Sequence, residues 1–185
     1  MAELVINGNA RAGLTVARLC KPLSVAGALS AVLAVAAPAH AATVVALGAS
    51  QTAGHGVSQG EDYPSQLQKM LADRGYAVSV KNAGSYNGET TAAMLSRLDG
   101  VLSSDTKVVI FQPGRVREGD TSRSENVKTI KQKLKARHVA FIKIPNKWFK
   151  DFPRQTDGQH LTANGYRQLA ERLTPMVIHS LKSRD

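Results

Sequence analysis

The sequence is poor in cysteine, aromatic residues and acidic residues, and each scarcity narrows what the chain can be. Its single cysteine, Cys20, excludes both an intrachain disulfide framework and a zinc site built on cysteines. Aromatic residues make up 5% of the 185 positions, which leaves little surface for stacking bases or sugars. No apolar run reaches the roughly 18 residues of a membrane-spanning helix. Only 14 Asp and Glu stand against 24 Lys and Arg, a formal net charge of +10, so this is not an acidic, solvating segment. What is present is globular in proportion: 43% apolar and 21% charged residues, in a length suited to one domain rather than two well-buried ones.

Arg11, Arg18 and Lys21 precede a small-residue apolar run from Leu23 to Ala37, followed by Pro38 and Ala39-His40-Ala41. A basic stretch, a short apolar region and an A-x-A site form the pattern of a secretory signal peptide. Residues 1–41 are therefore expected to be a signal peptide cleaved after about Ala41, leaving residues 42–185 as a periplasmic or secreted domain. The alternative for this run is a buried helix or a membrane anchor. The stretch before the run is long, which sets Met1 upstream of the expected start. Cys20 precedes the run and is badly placed for a lipid-modified cysteine. An oxidising compartment does not oblige a domain of this size to use disulfides.

Within residues 42–185, short β-branched segments alternate with helical patterns. Thr43–Leu47, Ala77–Val80, Lys107–Phe111 and Val139–Ile144 are each closed by turn residues, and each predicts a buried strand. Tyr63, Leu67, Met70 and Leu71 share one helical face, with Pro64 near its start and Gly75 just past its end. Weaker helical patterns run from about Thr91 to Leu98 and through Val127, Ile130 and Leu134. A last helix opens at Thr162, a good N-cap, and carries Tyr166, Leu169, Ala170, Leu173 and Val177 on one side. Pro175 inside it predicts a kink or a break. Alternation with short connections implies parallel strands joined by right-handed crossovers, with helices on both faces. Ligands in such sheets bind beyond the carboxyl ends of the strands, which directs attention to the segments beginning at Gly48, Asn82, Gln112 and Pro145.

Two of those segments carry reactive side chains. Gly48-Ala49-Ser50 sets a serine at a strand-to-loop turn, where its hydroxyl can project into the crevice; a cap or turn residue is the plainer reading. The phosphate-cradling spacing G-x-x-x-x-G-K-[ST] is missing from this loop. Asp157-Gly158-Gln159-His160 precedes the last helix. A serine hydroxyl needs a base within hydrogen-bond reach, and an imidazole oriented by a carboxylate fits that need. Metal ligation or helix capping explains an isolated Asp-x-x-His equally well.

Three blocks in order resemble the SGNH (GDSL-type) hydrolase family. They are Val44–Ser50 with Gly60–Leu67, then Asn82-Ala83-Gly84 with Gly88-Glu89-Thr90-Thr91, then Asp157–Gly165. The match covers most of residues 42 to 181, and the chain resembles small secreted arylesterase, thioesterase and lysophospholipase-like members. The resemblance implies an α/β fold: a three-layer α/β/α, flavodoxin-like domain, here with a compact parallel sheet of about four strands. Only 12 residues separate Ile144 from Asp157, too few for a further helix and strand. The resemblance also implies Ser50 as nucleophile, His160 as general base and then acid, and Asp157 as its orienting partner. The backbone N–H groups of Ser50 and Gly88 would form the oxyanion hole. The substrate would be a small or medium carboxylic ester or thioester, with no cofactor and no metal.

Two departures bear on activity. Ala49 stands where the family has the aspartate of G-D-S, a residue whose job is chiefly local structure. The third block should read G-G-N-D, but the chain has Gln112-Pro113-Gly114-Arg115-Val116-Arg117, with Val116 at the asparagine position. Loss of one oxyanion donor lowers turnover by about 10²–10³. Arg115, by a one-residue shift, and Asn87, in a second block one residue longer than usual, are the candidates to replace it. The alternative function is accordingly a catalytically weakened binding protein on the same fold, for an acyl, glycan or anionic lipid ligand. Trp148, Phe149 and Phe152 either line an acyl pocket or pack on the sheet. From Arg115 to Lys150 the basic residues far outnumber Glu118, Asp120 and Glu125, read either as a solvated helix face or as weak attraction to anionic lipid surfaces. Nucleic-acid binding lacks a recognised module.

Overall fold

The computed structural model describes residues 41–116 and 119–183, so residues 1–40, and with them the expected signal segment, lie outside the described residues. Four strands, β1 (Ala42–Gly48), β2 (Val78–Gly84), β3 (Thr106–Gln112) and β4 (Ala140–Lys143), form one sheet in the order β2-β1-β3-β4. Every pairing is parallel. Five α-helices connect and follow them: α1 (Ser50–Ala53), α2 (Tyr63–Ala72), α3 (Thr91–Val101), α4 (Arg123–Ala136) and α5 (Ala163–Lys182).

Strand side chains alternate between faces, and this divides the core into two layers. Val44 and Ala46 of β1 join Leu67 of α2 and Leu169 of α5. Val45 and Leu47 join Leu98 of α3 and Ile130 of α4. Both faces of β1 and β3 are covered, which is why these strands read as near-continuous apolar runs. Each fully buried Leu or Val contributes about 1.5–3 kcal/mol to the layers it joins. The starts of α2 and α5 are capped by side chains. Asp62 accepts the Ser65 N–H (3.0 Å) and hydroxyl (2.8 Å), and Thr162 accepts the Gly165 N–H (3.1 Å).

The structure differs from the sequence-based expectation at two points. β2 does not end at Val80 but continues through Lys81-Asn82-Ala83-Gly84, paired with β1 to Gly48. An edge strand needs backbone pairing on one side only, so polar side chains do not end it. The second difference is at Pro175, where α5 is continuous rather than broken. The proline lies on the exposed side of the helix, where water is at hand to replace the missing hydrogen bond, and the apolar stripe from Tyr166 to Leu181 stays buried.

The chain leaves β1 toward β2 on one side and later returns to β3 on the other. The crevice this reversal opens lies beyond the carboxyl end of β1. β1 runs straight into Ala49 and α1, so whatever residue 50 carries is delivered to that crevice. The fit there is close: a Cβ on Gly84 would lie 2.2 Å from the Ala53 nitrogen, so only glycine lets α1 rest against β2.

Candidate active site

Ser50 is the first residue of α1, set one residue past Ala49, whose extended backbone turns the chain out of the sheet. Ala49 supplies no side-chain cap. The turn is tied instead from β3, where Gln112 Oε1 accepts the Ala49 N–H (3.0 Å) and lies 3.4 Å from the Thr52 hydroxyl. Gln112 is 2% exposed and lines the crevice. Reading the sequence as motifs missed this residue, although a polar side chain closing the apolar run Val108–Phe111 was a visible signal. Leucine at position 112 would leave the buried Ala49 N–H without an acceptor, at a cost of about 1–3 kcal/mol. Gln112→Leu is therefore expected to lower stability in urea unfolding by that amount, and to reduce any turnover that depends on Ser50.

His160 arrives from the other end of the chain, on the loop between β4 and α5. That loop is held by its own bonds: Gln155 N–H to the His160 carbonyl (2.8 Å) and Thr162 N–H to the Pro153 carbonyl (3.1 Å). Gln51, next to the serine, ties the two segments together. Its Nε2 donates to the Gln159 carbonyl (2.6 Å), and its Oε1 accepts the Tyr166 hydroxyl (3.1 Å). The result brings the three sequence-predicted side chains into one line. Ser50 Oγ lies 2.9 Å from His160 Nε2, and His160 Nδ1 lies 2.5 Å from Asp157 Oδ2. The other Asp157 oxygen accepts the N–H groups of Gln159 (2.8 Å) and His160 (2.9 Å). The His160 ring contact, followed by these two backbone donors, holds the Asp157 carboxyl far below the usual carboxylate range. With Nδ1–H directed at Asp157, the Nε2 lone pair faces the serine hydroxyl.

The ring of His160 is buried, and His55 stacks on it with centroids 4.3 Å apart and planes at 23°. His55, Asp157 and His160 each bring one ligand-type atom within 4.8 Å of the others. Both His160 nitrogens are already engaged by Ser50 and Asp157, so a cation there would have to break that line.

The crevice is an open cleft of about 620 Å³. Gly88 lines it with φ at +62°, a backbone setting that favours glycine. Among the described residues, neither the Ser50 N–H nor the Gly88 N–H is used by another group. The loop after Gly88 is pinned through Glu89, whose carboxylate oxygens each accept from Arg97 at 2.6 Å, while Arg97 also donates to the Ala83 carbonyl (2.9 Å). Val116 stands at the rim, 75% exposed. Of the two suggested replacements for the third-block asparagine, Arg115 lines the cleft with its guanidinium on Gln159 Oε1, and Asn87 does not line it. The aromatic segment divides between its two readings. Phe149 packs in the core and touches the cleft, whereas Phe152 and Trp148 pack on the sheet side, beneath the Arg172 guanidinium.

No protein-family model matches the chain. In sequence it is 34% identical over 90 residues to Esterase TesA of Pseudomonas aeruginosa, across 49% of this chain and 44% of that protein, less than half its length. In structure it is similar to a crystal structure of TesA, with a TM-score of 0.57 and 21% identity, covering 77% of this chain and 99% of the other. AlinE4, an SGNH-hydrolase family esterase, gives a TM-score of 0.53 at 23% identity over 76% and 97% of the two chains. Esterase EstA from Pseudoalteromonas sp., in a structure inhibited by monoethylphosphonate, gives 0.55 at 16% identity over 77% and 95%. The fold is thus that of the SGNH-hydrolase esterases, here with a four-stranded parallel sheet between helices.

Proposed function

We propose that this domain, built on the SGNH-hydrolase fold, is a serine esterase that hydrolyses small or medium carboxylic esters or thioesters through Ser50, His160 and Asp157. The observation that carries the reading is the unbroken line from Ser50 Oγ to His160 Nε2 (2.9 Å) and from His160 Nδ1 to Asp157 (2.5 Å), opening on a cleft. Ser50 attacks the substrate carbonyl as its proton passes to Nε2, and Asp157 stabilises the imidazolium that forms. The oxyanion is received by the N–H groups of Ser50 and Gly88, whose freedom from other partners among the described residues supports the assignment. His160 then returns the proton to the leaving alcohol or thiol. Water, activated by the same imidazole, cleaves the acyl-enzyme. No step calls for a cofactor.

The missing third-block donor sets the expected rate. Val116 has no polar group to offer at the asparagine position, so turnover is expected below that of a relative with all donors. Export is part of the proposal: the A-x-A pattern at Ala39–Ala41 supports a periplasmic or secreted enzyme, and the basic stretch from Arg115 to Lys150 supports weak attraction to anionic lipid surfaces.

A fluorophosphonate probe tests the reading directly. The purified protein is expected to take up one probe, at Ser50 by peptide mass spectrometry, and to hydrolyse p-nitrophenyl acetate. A protein that neither labels at Ser50 nor turns over more ester than its Ser50→Ala variant is the weakened binding protein instead.

A further inference from the structure

Three cations line the cleft without a carboxylate partner among the described residues. Arg97, Arg123, Arg137, Arg167 and Arg172 each bond a carboxylate: Glu89, Asp120, Asp99, Glu171 and Asp151. Arg115 and Arg154 do not; among the described residues their guanidinium groups reach only neutral oxygens, Gln159 Oε1 and the Gly158 carbonyl (2.9 Å). Lys150 is exposed and has no ion-pair partner among the described residues. All three line the cleft that holds Ser50. The two carboxylates on the same cleft are already occupied, Glu89 by Arg97 and Asp157 by His160 and two backbone N–H groups. The walls around the nucleophile thus carry three cations with no anion of their own, in a cleft whose shape concentrates their field.

From this we infer the substrate class: an ester that bears a negative charge, a carboxylate or a phosphate, on its acyl or its alcohol part. The inference rests on the esterase reading and adds to it the feature by which the substrate is selected. Guanidinium groups held only by neutral oxygens keep N–H donors free for a carboxylate or phosphate, and Lys150 adds a mobile point charge. Opposite charge at the mouth raises encounter with anionic esters and favours their bound form over neutral esters of the same shape.

Paired substrates separate charge from shape. 4-Acetoxybenzoate and its methyl ester place the charge on the leaving group; phenyl hydrogen glutarate and phenyl methyl glutarate place it on the acyl chain. In at least one pair, kcat/KM is expected to favour the anion by about tenfold at low ionic strength, and the preference to shrink at about 0.5 M salt, where screening is nearly complete within a few ångströms. Lys150→Glu is expected to lower the anion-to-neutral ratio at least fivefold. Lys69→Glu, the same charge change on an exposed residue in the last turn of α2, is expected to leave the ratio within twofold. Hydrolysis that depends on Ser50 but shows no preference for either anion overturns the charge assignment and leaves the esterase reading standing. If no ester is hydrolysed, the esterase reading fails, and calorimetric titration with the same pairs decides the charge assignment alone. Tighter binding of the anions upholds it, and equal binding ends it.

Discussion

His160→Ala is expected to lower kcat/KM for p-nitrophenyl acetate by about 10⁴–10⁶-fold, and Ser50→Ala to do the same, while the double variant falls no further. The non-additivity is the informative part. A hydroxyl without its base is a weak nucleophile, and a base without its hydroxyl has no proton to accept, so either deletion removes the same step. Rates that multiplied in the double variant would mean that the two side chains act in separate events, and the 2.9 Å contact would then have no catalytic meaning. A His160→Ala variant retaining a tenth of the parent rate would do equal damage. Because His160 is buried and stacked on His55, the measurement belongs beside an unfolding curve and a second variant, His160→Gln, which fills more of the site. Loss of activity at unchanged unfolding midpoint assigns the effect to chemistry.

Much of this arrangement was legible in the residues, for reasons that differ by element. β1 and β3 declared themselves because burial on both faces demands unbroken apolar runs, and α2 and α5 because one buried face imposes a 3.6-residue period. The end of β2 was hidden because pairing through the backbone leaves side-chain polarity unconstrained at an edge. The helix does not break at Pro175 as expected: a local rule about an interior helical residue takes no account of which side faces water. Ser50, Asp157 and His160 could be named as candidates from their neighbours, yet nothing in spacing alone says that residues 110 apart meet. That meeting depends on Gln51 and Gln112, two glutamines whose role is to hold other groups and whose type carries no motif. The unpaired cations of the cleft were equally invisible, since a count of charges does not reveal which ones the fold leaves without partners.

Asp157→Asn carries the second large effect, about 10³–10⁴-fold in kcat, with little change in stability. The substitution keeps an oxygen in place of Oδ1, so the N–H groups of Gln159 and His160 retain their acceptor and the loop keeps its shape. What changes is the group facing His160 Nδ1. An amide nitrogen there is a donor, so Nδ1 must become the acceptor and the ring proton moves to Nε2, where it confronts the serine hydroxyl with no lone pair. Asp157→Ala removes the backbone acceptor as well, and is expected to destabilise the loop in addition to losing the rate. The pH dependence has a definite sign. The folded carboxyl is depressed below its ordinary value, so the contacts it makes are fully present above the usual carboxylate range and fade only as pH falls toward that depressed value. Asp157 therefore contributes no acid limb to activity between about pH 5 and 8. Rates of the parent and Asp157→Asn enzymes measured from pH 5 to 9 decide the matter. A parent-like kcat in the asparagine variant across that span would mean that the carboxylate builds the loop and takes no part in the relay.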